Sequence, residues 1–134
     1  MVALLSIKPE FVARIFDGTK KFEFRRVIFK SPVTKVVIYS SSPVRLIVGE
    51  FEVEDVLTAN LNELWCATKK YSGISPELFY TYFSDKDCGH AIKIGKVSRY
   101  VRPKPLSDVY SSPPPQSFAY LPSDKIPCTR RLRK

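Results

Sequence analysis

The sequence contains a single histidine, His90, and three cysteines, Cys66, Cys88 and Cys128. The cysteines are odd in number and widely spaced, so they form neither a disulfide framework nor a CxxC zinc knuckle. One histidine cannot supply several imidazole ligands to a zinc ion, nor the histidine pair of a two-histidine ribonuclease. The sequence therefore predicts reduced thiols, no metal and no cofactor, with a magnesium ion loosely held by carboxylates as the remaining alternative.

The sequence also lacks a long apolar run. No segment approaches the roughly 20 apolar residues of a membrane-spanning helix. Residues 1–9 are apolar too briefly for a signal peptide and have no basic leading region. The 134 residues, 44% of them apolar, suit one domain with a buried core. The simplest prediction is a cytoplasmic protein without membrane contact.

Acidic residues are outnumbered, with 13 Asp and Glu against 22 Lys and Arg and a net charge of +9. Without the four basic residues of the segment Cys128–Lys134, residues 1–127 still carry +5. A basic body favours polyanionic partners, whereas a basic tail alone is weak evidence for nucleic acid. We expect a domain over residues 1–122 and a basic, flexible tail over residues 123–134.

Hydrophobic patterning in the first third predicts a strand, a helix and two further strands. Residues 3–7 form a short buried strand, and apolar residues at helical spacing over residues 10–16 predict a helix that Gly18 ends. Period-two alternation predicts a strand over Lys21–Phe29, and a strongly apolar strand follows at Val36–Tyr39.

The next strand, at residues 45–57, reverses its apolar face at Gly49. A shift of one residue exchanges the two faces of a strand, so Gly49 predicts a β-bulge or a barrel corner. Glu50, Glu52 and Glu54 are expected to form a solvent-facing acidic stripe, because alternate strand residues lie about 7 Å apart. Long bent strands with helices at their ends favour an α+β fold built on a small mixed barrel.

Two helices, a strand and a proline-rich segment complete the chain. Asn60 is predicted to cap the first helix and Ser75 the second. A strand is expected over Ala91–Tyr100. From Arg102 onward, repeated prolines predict an extended strap that lies along the barrel.

The run Gly18 to Arg25 reads G-x-K-x-x-E-x-R and carries the clearest chemical pattern. Glu23 and Arg25 share one strand face, and Lys20 at the turn is expected to swing freely over that face. The fork of Arg25 suits a phosphate or carboxylate, while Glu23 can accept from a base amino group or take a proton. The alternative is a solvated Glu–Arg pair, worth about 0–1 kcal/mol.

Other residues can extend this candidate site. A serine run either donates hydroxyls into the cleft or only caps the turn before Pro43; it comprises Ser40, Ser41 and Ser42. Three cations can prolong a phosphate track, although each singly is more often a solvated charge; they are Lys8, Arg26 and Arg45. Five rings can stack on bases, although most such rings belong to cores; they are Tyr39, Trp65, Phe79, Tyr80 and Tyr82.

The motif, preceded by Ser6–Glu10 and a short helix, resembles the signature of the ASCH domain family. The resemblance continues through Tyr39–Pro43, Gly49–Phe51 and Ala91–Ile94, and it reaches Pro114–Phe118. It thus covers most of residues 4–121. It implies a PUA-like barrel with two or three flanking helices and a cleft in which Lys20, Glu23 and Arg25 contact the ligand.

The resemblance implies an RNA-related role, and with the proline-rich composition it leaves three functions open. One is a regulatory module that binds RNA or a nucleotide-like ligand. The second is a hydrolase acting on acetylated cytidine or on RNA, with Lys20 and Glu23 as catalytic residues. The third is a protein-interaction module that uses the proline-rich strap. In the acetylcytidine branch a threonine stands at the position of Glu23, so this chain departs from that branch there.

Overall fold

The computed structural model describes residues 1–122 and the backbone of Arg131–Leu132. The expected flexible tail therefore lies mostly outside the described residues. Within them, no helix is long and apolar enough to cross a lipid bilayer. The described elements, in chain order, are β1 (Val2–Ile7), α1 (Pro9–Asp17), β2 (Phe22–Arg25), β3 (Lys35–Ser40), β4 (Leu46–Asn60), α2 (Leu61–Thr68), a 3-10 turn (Lys69–Tyr71), α3 (Pro76–Tyr82), β5 (Cys88–Lys104), a second 3-10 turn (Leu106–Asp108), β6 (Ala119–Leu121) and β7 (Arg131–Leu132).

The strands form one mixed sheet in the order β2-β5-β4-β3-β1-β6, with β7 paired to β5. β1 and β3 are parallel, and the other pairs are antiparallel. The predicted α+β fold with flanking helices is confirmed, but the sheet is not closed into a barrel. Within the described residues the pairing path ends at β2 and β6. These strands have four and three residues, so they offer little backbone for closure.

Local sequence signals explain where the helices begin and end. Pro9 occupies the first turn of α1, and Gly18 ends that helix with a φ of 85°. The Asn60 side chain accepts from the Glu63 amide at 3.0 Å, and the Ser75 hydroxyl accepts from the Leu78 amide at 3.1 Å. The predicted caps of all three helices are thereby confirmed.

The bulge predicted at Gly49 is present. Gly49 pairs with Ile38 while Ile47 pairs with Tyr39, so Val48 is the extra residue. A Cβ on Gly49 would lie 2.6 Å from the Ser98 carbonyl oxygen, a distance that requires glycine.

The prediction of a solvent-facing acidic stripe is wrong for Glu50, which is only 5% exposed. Glu52 and Glu54 are exposed as predicted. Bulges break the two-residue period along β4, so alternate residues do not share one environment. Glu50 tolerates burial because its carboxylate accepts from Lys35 Nζ at 2.8 Å and from the Tyr100 hydroxyl at 2.7 Å.

The lengths of β2 and β5 differ from the sequence prediction. β2 stops at Arg25, where the chain leaves the sheet, instead of running to Phe29. β5 extends through Pro103 to Lys104. The residues between β4 and β5 form α2 and α3, whose apolar faces pack on β2 and β5. This excursion brings the segment 71–75 against the Gly18–Arg25 motif.

Candidate functional site

A cleft of about 320 Å³ lies beside β2, the edge strand at one end of the sheet. The end of β1, the start of α1, the β2 strand, α3 and the proline-rich segment contribute to it. One part of the lining is apolar, formed by Ile7, Phe11, Phe24, Ile74 and Leu78. The remainder is polar or charged, formed by Ser6, Lys8, Glu10, Lys20, Glu23, Arg25, Tyr82 and Gln116.

Lys20 is fixed in the wall of this cleft. Its side chain is buried, with only 2% of the residue exposed, and Nζ donates to the Ser72 carbonyl at 2.8 Å. The ammonium also lies 4.9 Å from the Phe24 ring centroid and 5.5 Å from that of Phe11. The prediction that Lys20 swings freely is wrong, because a backbone carbonyl and two rings hold it.

Three consecutive carbonyl groups hold the segment 71–73 against α1 and the motif. The Lys21 amide donates to the Tyr71 carbonyl at 2.8 Å, and Lys20 Nζ donates to the Ser72 carbonyl. Arg14 donates to the Gly73 carbonyl at 2.6 Å. Gly73 adopts a φ of 69°, and a Cβ there would lie 2.5–2.9 Å from Cβ, Cγ and Cδ of Lys20. The lysine stem therefore packs directly on the glycine.

Burial lowers the pKa of Lys20 from its ordinary value, and the nearby Arg14 charge lowers it further. The Glu23 carboxylate acts in the opposite direction by stabilising the ammonium form. Because burial is the largest effect, the neutral amine is more accessible at Lys20 than at a solvated lysine. A lysine in this state can act as a proton acceptor.

Glu23 and Arg25 form a buried ion pair. Arg25 donates to a Glu23 carboxylate oxygen at 3.2 Å, and its other terminal nitrogen donates to the Ser117 carbonyl. The two residues are 6% and 9% exposed. The alternative of a solvated pair is therefore wrong. The pair lies at the cleft surface and links β2 to the segment that precedes β6.

Tyr82 brings a hydroxyl close to this pair. Burial raises the pKa of Tyr82, Arg25 opposes that shift, and Glu23 adds to it. Arg26 donates to the Tyr82 carbonyl at 3.0 Å and forms an ion pair with Asp85. Arg26 therefore positions the end of α3 and is not among the residues that line the cleft.

The other predicted site residues separate into two groups. Lys8 lines the cleft and is exposed. Ser40 is buried and lines a second groove between α1 and the sheet. Ser42 and Arg45 are exposed and Ser41 is partly buried; none of the three lines the cleft. The motif and Lys8 thus come together, whereas the serine run and Arg45 lie elsewhere.

Of the five rings considered for stacking, only Tyr82 lines the cleft. Tyr39 and Phe79 are core residues, and Trp65 packs on Phe79 with 5.1 Å between ring centroids. Tyr80 is exposed and donates to Asn62 at 2.6 Å. Among residues 1–122, no group of three His, Cys, Asp or Glu side chains forms a metal-binding cluster.

Several cleft residues were missed by the sequence analysis, among them Phe11, Ile74, Leu78 and Gln116. Phe11 and Leu78 lie at the apolar spacing of α1 and α3, a pattern that indicates a helix face packed on the core and not a ligand site. Leu78 is 42% exposed on a short helix next to the glycine-containing loop, and no signal in the sequence distinguishes it from the buried Phe79 beside it. Gln116 was part of a proline-rich segment whose course depends on tertiary contacts.

Comparison with known proteins identifies relatives. The family model described as the ASCH domain matches residues 5–98. The chain is 34% identical over 119 residues to an ATP synthase subunit alpha of Ureaplasma parvum, of which it covers 15%. It is 32% identical over 123 residues to a large ribosomal subunit protein uL22 of the same organism, covering 38% of that protein. The chain thus spans well under half of these two relatives.

A third relative matches over most of its length. The ASCH domain-containing ribonuclease of Zymomonas mobilis is 27% identical over 123 residues, which are 89% of this chain and 83% of that protein. The crystal structure of ASCH from Zymomonas mobilis superimposes with a TM-score of 0.85 at 26% identity, covering 92% of this chain and 90% of that one. A mutant of the same protein superimposes with a TM-score of 0.84.

Proposed function

Because this chain belongs to the ASCH domain family, we propose that it binds RNA in the cleft formed by the Gly18–Arg25 motif, α3 and the start of α1. The observation that carries the proposal is the mixed lining of the cleft. Rings and aliphatic side chains make up one part of it, and Lys8, Lys20 and Arg25 add cations, with the Lys20 ammonium lying against the Phe11 and Phe24 rings. A nucleotide combines the same two properties, with a flat base and an anionic phosphate.

The charged groups suit the phosphate. Lys8 is exposed and, among residues 1–122, takes part in none of the ion pairs, so it can approach a phosphate without leaving a carboxylate. Arg25 is already oriented by Glu23 and Ser117, which lowers the entropy lost when its fork meets an oxyanion.

The apolar groups suit the base. Phe11 is partly exposed and Leu78 is 42% exposed at the cleft, so a base can stack on the ring and pack against the leucine, contacts that tolerate any base. Glu23 can in addition accept a hydrogen bond from an exocyclic amino group, which favours bases that carry one.

RNA binding by cleft variants tests the proposal. Lys8→Ala removes one exposed cation without touching the core, so we expect weaker binding and a salt slope that is shallower by about 0.7 for a single strand. Arg25→Lys keeps the charge and loses the fork, so we expect a larger loss of affinity. Arg102→Ala, an exposed cation outside the cleft lining, is the control. Equal affinities of wild type, Lys8→Ala and Arg25→Lys would contradict the proposal.

A second candidate function is RNA cleavage, which the lowered pKa of Lys20 and the name of the Zymomonas relative favour. In this reaction the neutral Lys20 amine takes the proton of a ribose 2′-hydroxyl, whose oxygen attacks the adjacent phosphorus. The bond from phosphorus to the leaving ribose oxygen breaks, that oxygen takes a proton from water, and the Lys20 ammonium then returns its proton to the solvent. The products are a cyclic phosphate and a free hydroxyl end, and Arg25 stabilises the charge on phosphorus.

Cleavage is separated from binding by comparing Lys20→Met with wild type on labelled RNA. The proposed reaction predicts products with cyclic phosphate ends from wild type and none from Lys20→Met. A ribose-methylated RNA, which lacks the attacking hydroxyl, serves as the substrate control. Absence of products from wild-type protein, or equal rates for both proteins, would remove this second candidate and leave the binding proposal intact.

A further inference from the structure

A second cationic surface lies on the segment that holds Lys20, outside the cleft lining. It consists of Lys21, Lys69, Lys70 and Tyr71, and we call it the lysine–tyrosine platform. All four residues are exposed, Tyr71 by 39%. An exposed aromatic ring surrounded by lysines is the arrangement that binds single-stranded nucleic acids, through stacking on the ring and charge attraction to the backbone.

The ring and the charges of the platform are in contact. Lys21 Nζ lies 4.4 Å from the Tyr71 ring centroid, and Lys70 Nζ lies 5.6 Å from it. The backbone beneath is fixed, because the Lys21 amide donates to the Tyr71 carbonyl at 2.8 Å and the Lys21 carbonyl accepts from Ile94 at 2.9 Å. The platform is therefore anchored to the edge of the sheet.

The positive charge of the platform is not neutralised locally. Residues 18–22 and 68–75 contain no Asp or Glu. Among residues 1–122, the ammonium groups of Lys21, Lys69 and Lys70 take part in none of the ion pairs. A polyanion can therefore bind them without displacing a carboxylate partner.

The platform adjoins the cleft along the chain. Tyr71 precedes Ser72, whose carbonyl receives the Lys20 ammonium, and Ile74 lines the cleft. Three peptide units separate Tyr71 from Ile74, so their Cα atoms lie at most about 11 Å apart. A few nucleotides of an extended strand cover that distance.

We propose that the platform binds the part of a single-stranded RNA that leaves the cleft, with one base stacked on Tyr71 and the adjoining phosphates bound by Lys21 and Lys70. This inference rests on the proposed RNA binding in the cleft. It gives the protein a preference for single strands longer than the cleft alone can hold, because a duplex does not offer an unpaired base to Tyr71. It predicts little preference for sequence at that position.

The first experiment compares Tyr71→Ala with the matched variant Tyr80→Ala, whose ring is 37% exposed on α3 outside the cleft lining. Two ligands are compared. The first is a dinucleotide, whose weak binding is measured by NMR titration. The second is a single strand of about ten nucleotides, a length within the site sizes of known single-strand binders. We expect Tyr71→Ala to raise the Kd for the longer strand about tenfold and to leave that for the dinucleotide unchanged. Tyr80→Ala should change neither.

The second experiment measures the salt dependence of binding to the longer strand. The double variant Lys21→Ala, Lys70→Ala should make the negative slope of log K against log salt shallower by about 1.4, because each lost phosphate contact accounts for about 0.7 on a single strand. The control is Lys30→Ala, which removes an exposed lysine outside the platform and should leave the slope unchanged. An unchanged slope in the double variant would overturn the assignment of phosphate contacts to the platform.

The outcomes distinguish this inference from the proposed function. If Lys8→Ala and Arg25→Lys weaken dinucleotide binding while Tyr71→Ala leaves the longer strand unaffected, the cleft proposal stands and the platform inference is wrong. If Tyr71→Ala weakens only the longer strand, the platform is supported. If wild-type protein binds neither ligand, both proposals are wrong.

Discussion

Gly73→Ala is the substitution for which the structure yields the clearest expected effect. Gly73 has a φ of 69°, a conformation that costs a residue with a Cβ about 1–2 kcal/mol. The new methyl group would also lie 2.5–2.9 Å from three carbons of the Lys20 stem, so the lysine must move away from the Ser72 carbonyl. Loss of that charged hydrogen bond costs about 1.5–3 kcal/mol.

Together these effects lower the free energy of unfolding by roughly 2.5–5 kcal/mol, which corresponds to a fall in Tm on the order of 10–20 °C for a domain of this size. Chemical and thermal denaturation measure it directly. Displacement of Lys20 should also weaken the proposed RNA binding when it is measured below the new Tm, because the lysine leaves the cleft wall.

Gly95→Ala is the control for Gly73→Ala. A Cβ at Gly95 would meet the Glu52 carbonyl oxygen at 3.2 Å and two side-chain carbons at 3.6 Å, so only small adjustments are needed. We expect a loss under about 1 kcal/mol, as for most substitutions that neither strain the backbone nor disturb a buried network. If Gly73→Ala is no more destabilising than Gly95→Ala, the account of a tightly held Lys20 is refuted.

Three further predictions concern the motif and α3. The pKa of Lys20 is lowered in the folded state, so between that pKa and 10.5 the unfolded chain binds more protons than the folded one, and the free energy of unfolding of wild type should rise with pH. Denaturation measured as a function of pH should show no such rise for Lys20→Met. Parallel curves for the two proteins would contradict the prediction. Arg25→Met should lower the free energy of unfolding by about 3–5 kcal/mol, because it leaves Glu23 buried without its partner. The double variant Glu23→Gln, Arg25→Met should recover part of that loss. No recovery would show that the broken ion pair is not the cause. Ser75→Ala should cost about 1 kcal/mol through loss of the α3 cap, whereas the exposed Ser84→Ala should cost less than about 0.5 kcal/mol, and equal values would contradict the capping role.

The parts of the fold that follow from local chemistry could be predicted. Gly18, Asn60 and Ser75 act at helix ends because of their own backbone or side-chain preferences, so their roles are visible in the sequence. The bulge beside Gly49 was visible as a reversal of the apolar face. The short length of β2 was not, because the chain leaves the sheet where Arg26 binds the Tyr82 carbonyl 56 residues away.

The sequence brought together only part of the candidate site. Lys8, Lys20, Glu23 and Arg25 line one cleft. The other predicted site residues do not line it; they are Arg26, Ser40, Ser41, Ser42 and Arg45. Ligand binding in this cleft stays a prediction. The burial of the motif residues depends on segments distant in sequence, since the Ser72 carbonyl accepts from Lys20 and the Ser117 carbonyl accepts from Arg25. A motif of charged residues with strand spacing indicates exposure, and only these tertiary contacts make a buried lysine and a buried ion pair possible.

The most direct test of RNA binding in the cleft is photo-crosslinking of a thiouridine-containing single strand to the full chain, followed by mass-spectrometric mapping of the modified residues. The account predicts crosslinks in peptides that contain Phe11 and Tyr82, reduced by Arg25→Lys. Crosslinks confined to residues 123–134, or an unchanged pattern in Arg25→Lys, would contradict it.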